Sequence, residues 1–415
     1  MRVAHLLRKL DPSEWSGTEM AIQRLFDGLR CNGVDPVVYC PKLAQGNGKD
    51  PLASSGFEVQ RYKAFVPVLG LSGQRRRQLL SVGGNLMSFD LISSLWRERN
   101  LAVMHAHTLG RIGGIALTIA KQRQVPFVVT IHGGVLDLPD KIKKSFNTPM
   151  DRGWEWGKLF GVLFQSHRLF CDADAILTCN AKEAALLQEQ FPKKRVVVQP
   201  HGVPFEVYQL DQRQAALTAF PQIRDRQVLL CLGRIDPIKN QSWLLSQAAI
   251  AFKRYPRAML VLAGPCTNEP YGEQIQKRIL EPDLQGRVLL TGGLPPNDPR
   301  VVGLLQLSAA LVLASLSETF GLVILEAWAA GTPVLSARTS GPAALIQNGH
   351  NGWLFDLDQP STFQQALGCV LEEPGVAKEM ASRGTAVSEQ YSVNALAAKL
   401  KALYQELIEQ RSCTT

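Results

Sequence analysis

The chain has 415 residues, 46% of them hydrophobic and 20% charged, with a formal net charge of +9. That length exceeds one ordinary core and suits two domains, and the composition is that of a globular protein. No run of 18 apolar residues is present, so no membrane-spanning helix is expected, and eight cysteines set far apart without a Cys-x-x-Cys argue for a reducing cytoplasm over a disulfide scaffold.

From Met1 the chain is too soon charged for a signal peptide, and Val3 to Leu7 reads as a first strand. Apolar residues at Ala21, Ile22, Leu25, Phe26 and Leu29 predict a helix over Thr18 to Arg30, and Pro36 to Tyr39 opens the next strand. This β-loop-α-β opening is that of a doubly wound sheet. Its first turn, Arg8 to Glu19, lacks the Gly-x-Gly-x-x-Gly of a dinucleotide site, which argues against a nicotinamide or flavin cofactor. Gln74 to Arg97 is predicted as one long helix, packed beneath a cleft or leaning on a membrane. Strands at Leu101 to His105 and Pro126 to Ile131 bracket a helix over Ile112 to Gln122. His132 then follows a buried strand at its carboxyl end, where such folds place their chemistry, whereas His105 and His107 read as structural.

Phe160 to Phe170 is predicted helical, and Asp172-Ala173-Asp174 leads into a strand at Ala175 to Thr178. Asp-x-Asp can hold a metal and a nucleotide, but it is a three-residue pattern of low specificity that recurs at Asp356-Leu357-Asp358, and both pairs read as structural. Val196 to Val198 closes the first half. Pro204 to about Arg226 reads as a polar connector, and Val228 to Leu232 opens a second domain.

The second domain carries two dense signals. Gly233-Arg234-Ile235-Asp236-Pro237-Ile238-Lys239-Asn240 sets two cations five residues apart around a turn into the Gln241 to Phe252 helix, suited to a diphosphate. Ala309 to Ala314 reads as a strand, followed by Ser315 to Gly321 and an apolar helix over Leu322 to Ala330 that Gly331-Thr332-Pro333 ends. Gly321 and Leu322 offer free amides at the positive end of that helix, a ready anion site. Glu326 lies within the apolar helix, where an unpaired carboxylate is costly; it meets either a sugar diol or a core cation. Glu318 either serves a ligand or complements the helix dipole. Further strands are expected at Met259 to Ala263, Val288 to Leu290, Val334 to Ala337 and Gly352 to Phe355, with helices through Leu280, near Val301 to Ser308, and over Val393 to Leu407.

Ser317-Glu318-Thr319-Phe320-Gly321-Leu322, with Glu326-Ala327 and Gly331-Thr332-Pro333-Val334, resembles the Glu-x7-Glu signature of retaining GT-B glycosyltransferases of family 4 (glycosyl transferases group 1). The family's Gly-Arg-x-x-x-x-Lys matches at Gly233, Arg234 and Lys239, and its Thr-x-His-Gly at Thr130 to Gly133. Two departures stand out: Ser16 replaces the first glycine of the Gly-Gly-x-Glu loop, leaving Gly17 as the match, and His201 replaces asparagine in the Pro-Asn-Gly-Val hinge.

The resemblance implies an α/β GT-B fold of two doubly wound Rossmann-like domains facing across a cleft. Residues 1–205 would form the acceptor-binding domain, 206–226 a linker, 227–392 the nucleotide-sugar domain, and 393–415 a terminal helix packing back toward the first domain. It implies catalytic roles for His132 and Glu318, and donor-diphosphate contacts from Arg234, Lys239, Gly17, Gly321 and Leu322. Donor-sugar contacts would come from Glu318, Thr319, Phe320 and His132, ribose contacts from Glu326, and nucleobase contacts from Gly293 and Leu294. No metal or organic cofactor is required, because the cations and helix amides supply the positive charge.

The implied reaction moves a sugar, with retention, from a UDP- or GDP-linked donor to a carbohydrate or lipid-linked hydroxyl acceptor in glycan, polysaccharide or glycolipid biosynthesis. Competing readings are a GT-B epimerase, a phosphorylase, or a non-catalytic glycan- or nucleotide-binding relative. Basic clusters at 75–77, 141–144 and 193–195 suit an anionic membrane surface or acceptor, or are solvated faces; no nucleic-acid module accompanies them. The expected location is cytoplasmic, with room for peripheral contact at the inner membrane face.

Overall fold

A computed structural model of the protein describes residues 1–10, 17–42, 51–70, 72–73, 79, 86–132, 156–295 and 297–413. They form two compact units, Met1–Gly202 with Val393–Thr415, and Val203–Ser392.

The first unit holds a seven-stranded parallel sheet in the order β3-β2-β1-β4-β5-β6-β7. Its strands are β1 (Arg2–Leu6), β2 (Asp35–Pro41), β3 (Glu58–Tyr62), β4 (Leu101–Ala106), β5 (Phe127–Ile131), β6 (Ala175–Thr178) and β7 (Val196–Val198). A sheet covered on both faces needs apolar residues on both, which is why these strands read as continuous runs. In β1 the alternation is explicit: Val3 and Leu7 join one core cluster, Ala4 and Leu6 the other. The Gly17–Cys31 helix and the terminal Val393–Ser412 helix cover the face of Val3 and Leu7. Gly28 admits this packing, since a Cβ there would stand 2.7 Å from Val393 Cγ1. Arg411 and Lys401 of the terminal helix bond Asp174 and the Asn32 carbonyl.

The second unit holds a six-stranded parallel sheet in the order β10-β9-β8-β11-β12-β13. Its strands are β8 (Gln227–Leu232), β9 (Ala258–Ala263), β10 (Val288–Gly292), β11 (Ser308–Leu313), β12 (Val334–Ala337) and β13 (Trp353–Phe355). In each unit the order reverses beside its first strand, between β1 and β4 and between β8 and β11. At such points the following loops part and leave a crevice at the strands' carboxyl ends.

Three local expectations fail and one strand went unpredicted. The predicted Gln74–Arg97 helix is interrupted: Leu79 is helical, but Met87 exchanges two 2.9 Å backbone bonds with Phe65, and a separate helix, capped by Ser88 through Leu91 N–H, runs over Phe89–Arg97, with 74–78 and 80–85 outside the described residues. The predicted Phe160–Phe170 helix breaks at Gln165, whose φ is +53°. Strand β3 is polar and lies at the sheet edge, so it gave no apolar run. Residues 206–226, expected as a linker, form helices Phe205–Gln209 and Arg213–Ala219 within the second unit. Their polar surface conceals a tight docking. Gly303 lets the backbone of Gln212 approach to where a Cβ would be 2.2 Å from its carbonyl, and the Gln306 amide bonds Gln212 N–H and the Tyr208 and Leu210 carbonyls. The basic clusters at 75–77 and 141–144, Ser16 and Gly133 lie outside the described residues. Among the described residues no helix is long and apolar enough to cross a membrane, and all eight cysteines are free.

Candidate functional site

In the second unit the predicted residues gather at the carboxyl ends of the strands. Gly233 follows β8, Gly264 follows β9, and Gly292 ends β10. Their backbones are stitched by Gly233 N–H to the Ala263 carbonyl (2.8 Å) and Gly264 N–H to the Gly292 carbonyl (3.0 Å). Only glycine fits at 264, because a Cβ would lie 2.1 Å from the Gly233 carbonyl oxygen. Gly293 packs on Pro265, with Leu294 half-buried beside it.

The loop after β8 is shaped by its own polar residues. Asp236 caps the Pro237–Lys239 turn by accepting from Ile238 N–H, and Asn240 takes a left-handed conformation. The buried Gln241 amide donates to the Arg234 carbonyl at 2.8 Å. This loop meets the one after β11 at the switch point: Leu316 N–H donates to the Ile238 carbonyl, and Lys239 Nζ donates to Glu318 Oε2 at 2.6 Å. With side chains 23% and 17% exposed, that pair is neither buried nor freely solvated. The Arg234 guanidinium, half-buried nearby in sequence, has no hydrogen-bond or ion partner among the described residues.

The Glu318 backbone is itself clamped. Its carbonyl accepts from Gly341 N–H (2.8 Å) and Ser340 Oγ (3.2 Å), and a Cβ on Gly341 would press into that carbonyl. Thr319 is half-buried, whereas the Phe320 ring turns inward and meets Tyr391 edge-on, leaving its backbone to the loop. Gly321, at φ +91°, starts the Leu322–Ala329 helix. Glu326, 5% exposed, stands one turn beyond Leu322 on the same helical face. The structure thus draws Gly233, Arg234, Lys239, Glu318, Gly321, Leu322 and Glu326 onto adjoining loops and one helix, with Gly293 and Leu294 at the neighbouring strand end. Gly264, Gln241, Ser340 and Gly341 were missed from sequence. Their signals are a lone glycine after a strand and a Ser-Gly-Pro turn, too common to stand out.

His132 and Gly17 belong to the first unit. Gly17 is exposed at the start of its helix. His132 follows β5 and joins a column of histidines on one face of the sheet: His5 Nδ1 lies 2.9 Å from His107 Nε2, and His107 Nδ1 2.9 Å from His132 Nε2. His201 stacks on His132 with ring centroids 5.5 Å apart. Burial, and then the neighbouring imidazoles, hold His5, His105 and His107 well below the ordinary histidine range. His132 is held down by burial, His201 and Arg8, and His201 by burial and Arg24 to about 4. All are neutral near pH 7. His107, read as structural from sequence, thus meets the histidine singled out there, and His105 stacks on His107.

Three of the four Asp-x-Asp carboxylates, Asp172, Asp174 and Asp356, are tied into ion pairs. Asp172 accepts from Lys121 (2.5 Å) and Arg168 (2.7 Å), which hold it well below the usual carboxylate range. Asp174 binds Arg411 and Phe127 N–H, and Asp356 binds Arg338.

Two family models match the chain, Glycosyl transferase 4-like domain over residues 16–202 and Glycosyl transferases group 1 over residues 215–387. A D-inositol 3-phosphate glycosyltransferase of Thermobispora bispora is 27% identical over 317 residues, 74% of this chain and 71% of that protein. The enzyme of the same name from Corynebacterium glutamicum is 22% identical over 98% of this chain and 97% of its own. The crystal structure of Anabaena HepE in complex with UDP superposes with a TM-score of 0.74 and 17% identity, covering 98% of this chain and all of that one. With matched models on both halves, the site motifs in place and this fold, the chain belongs to the group 1 glycosyltransferases and is a glycosyltransferase of the GT-B fold.

Proposed function

We propose that the protein is a retaining, metal-independent glycosyltransferase that moves a sugar from a UDP- or GDP-linked donor to a hydroxyl of a carbohydrate or lipid-linked acceptor. The observation that carries this reading is the Lys239–Glu318 pair at the β8/β11 switch point, with the Arg234 guanidinium, unpaired among the described residues, on the same loop. Two cations there would bind the donor diphosphate and offset the charge that grows on the leaving nucleotide. The Gly321 and Leu322 amides would add the positive end of a helix. Gly17 would add a backbone donor from the first unit. Glu318 and Thr319, with the Phe320 backbone, would hold the donor sugar, Glu326 the ribose, and Gly293 and Leu294 the base.

A Glu318 carboxylate held by Lys239 is a poor nucleophile. The reading therefore gives the acceptor proton to the departing phosphate on the face where the acceptor enters, which retains the anomeric configuration. His132 would donate a hydrogen bond to the donor sugar as positive charge develops on it. The fold neighbour crystallised with UDP makes that nucleotide the first to test. Eight free cysteines suit a reducing cytoplasm.

Incubation with a panel of UDP- and GDP-sugars, with acceptors that include inositol phosphates, is expected to give a product of the donor's own anomeric form by NMR. EDTA is expected to leave the rate unchanged. An inverted anomer would overturn the stereochemistry, and loss of activity restored by manganese would overturn metal independence.

A further inference from the structure

Five of the seven histidines crowd the face of the first sheet that the Gly17–Cys31 and Val393–Ser412 helices cover. Register explains it. His5 pairs with His105 across β1 and β4, and His107, Thr130 and His132 continue the same face at the strand ends. Three of them, His5, His105 and His107, offer ligand atoms close enough to suggest a metal. The distances speak against one. Two nitrogens on one tetrahedral metal stand about 3.3 Å apart, given metal–nitrogen bonds of about 2.0–2.1 Å. His5 Nδ1 and His107 Nε2 are at 2.9 Å, a hydrogen-bond separation. His105 has both nitrogens engaged, with Tyr404 Oη and Thr130 Oγ1 at 2.5 Å each.

A neutral imidazole has one N–H and one lone pair, so a chain of three must point all its protons one way. His107 uses both nitrogens, while His5 Nε2 and His132 Nδ1 are buried ends with no partner among the described residues. If the protons point toward His5, an N–H is stranded at His5 Nε2, a core position under the Phe26 ring, whose centroid is 4.6 Å away. If they point toward His132, only a lone pair is stranded there, and the terminal N–H falls on His132 Nδ1. An orphaned N–H is the rarer and costlier of the two. His132 also lines a small cavity of about 20 Å³ with Thr130, Gln199 and His201, room for about one water or one hydroxyl group. The blind end at His5 makes the chain a fixed bias on His132 instead of a route for protons.

We propose that His107 and His5 are positioning residues for glycosyl transfer, a one-way chain of imidazole hydrogen bonds that holds His132 as the Nδ1–H tautomer and offers that N–H to a single hydroxyl of the donor sugar. The proposal rests on the reading of His132 as a donor-sugar residue. His107 sets the ring through its second nitrogen, as partners of functional histidines do. His105, stacked on His107 at 4.2 Å and pinned by Tyr404, keeps the column upright.

The test is the imidazole spectrum of the ¹⁵N-histidine-labelled full chain. Wild type is expected to show His132 with Nδ1 protonated and Nε2 bare; the reverse would overturn the proposal. In His107→Phe the His132 proton is expected to move to Nε2 and turnover to fall about tenfold or more, with UDP affinity unchanged. His107→Gln, whose amide can donate to His132 and accept from His5, is expected to restore both the tautomer and most of the rate. An unchanged His132 tautomer in His107→Phe, or a stoichiometric metal in the purified chain, would refute the chain of hydrogen bonds. Full turnover in His132→Ala would remove the donor-sugar reading, a result separable from the spectrum. The wild-type spectrum alone decides the direction of the chain, so a variant that fails to fold does not shelter the proposal.

Discussion

Glu318→Gln separates two consequences of the Lys239–Glu318 pair that move in opposite directions. In the free protein the Lys239 ammonium donates to Glu318 at 2.6 Å, and an arriving diphosphate has to compete for it. A charge-assisted hydrogen bond contributes about 1.5–3 kcal/mol. With the two side chains 23% and 17% exposed, solvent reduces that to roughly 1 kcal/mol. A neutral glutamine releases the lysine and removes a negative charge beside the phosphates, so UDP or GDP should bind about fivefold tighter, the equivalent of about 1 kcal/mol. Turnover should fall about 10²- to 10³-fold, as when one preorganised group that stabilises the transition state is lost. Isothermal titration with each nucleotide and initial rates on the folded variant give both numbers. Weaker nucleotide binding by tenfold, or a wild-type rate, would refute the reasoning.

Three further outcomes are expected. Arg234→Met and Lys239→Met should each weaken nucleotide binding about 10- to 100-fold by titration; Arg234→Met should leave the melting temperature unchanged, since that guanidinium has no partner among the described residues. Gly341→Ala puts a Cβ 2.6 Å from Phe320 N and 2.8 Å from the Glu318 carbonyl, and should lower both turnover and stability, the latter by about 1–3 kcal/mol in denaturant titration. Acid should destabilise the first unit through its histidines. They are neutral when folded, with His201 held at about 4 and the others well below the ordinary value of 6.5. The unfolded chain therefore binds more protons below pH 6.5, so stability is full above that pH and declines as pH falls toward the folded values, by about 1.4 kcal/mol per unit per histidine. Melting temperatures from pH 7 to 4.5 should show it, and His5→Phe should lessen the slope by about one proton; a flat profile would refute the assignment.

The alternation of apolar runs with helical spacing made the two parallel sheets legible, because strands buried on both faces cannot hide their hydrophobicity. What escaped was structure held by polar groups or backbone. Strand β3 is an edge whose Glu58 pairs with Arg2 at 2.7 Å, so its residues look like loop. The stretch 206–226 looks like a connector because its docking is done by Gln306 and by the absence of a side chain at Gly303. The long helix predicted over 74–97 rested on spacing alone, and spacing does not register that Met87 serves a backbone bridge to Phe65.

The same contrast separates the two functional clusters. Arg234 and Lys239 lie five residues apart on one loop, and Glu318 to Glu326 on one turn and helix, so local chemistry marked them as candidates and the family resemblance assigned their roles. The meeting of Lys239 and Glu318 at 2.6 Å follows from where β8 and β11 lie in the sheet, and the doubly wound topology supplies that. The histidine column is distributed instead over β1, β4 and the end of β5, with His5 a hundred residues from its partner. Each of its members, taken alone, is an ordinary buried histidine. Only the register that sets His5 beside His105 turns them into a directed chain, and direction is a property no single position can carry. Residues that touch a ligand can be legible one at a time, whereas residues that orient them become visible only as pairs.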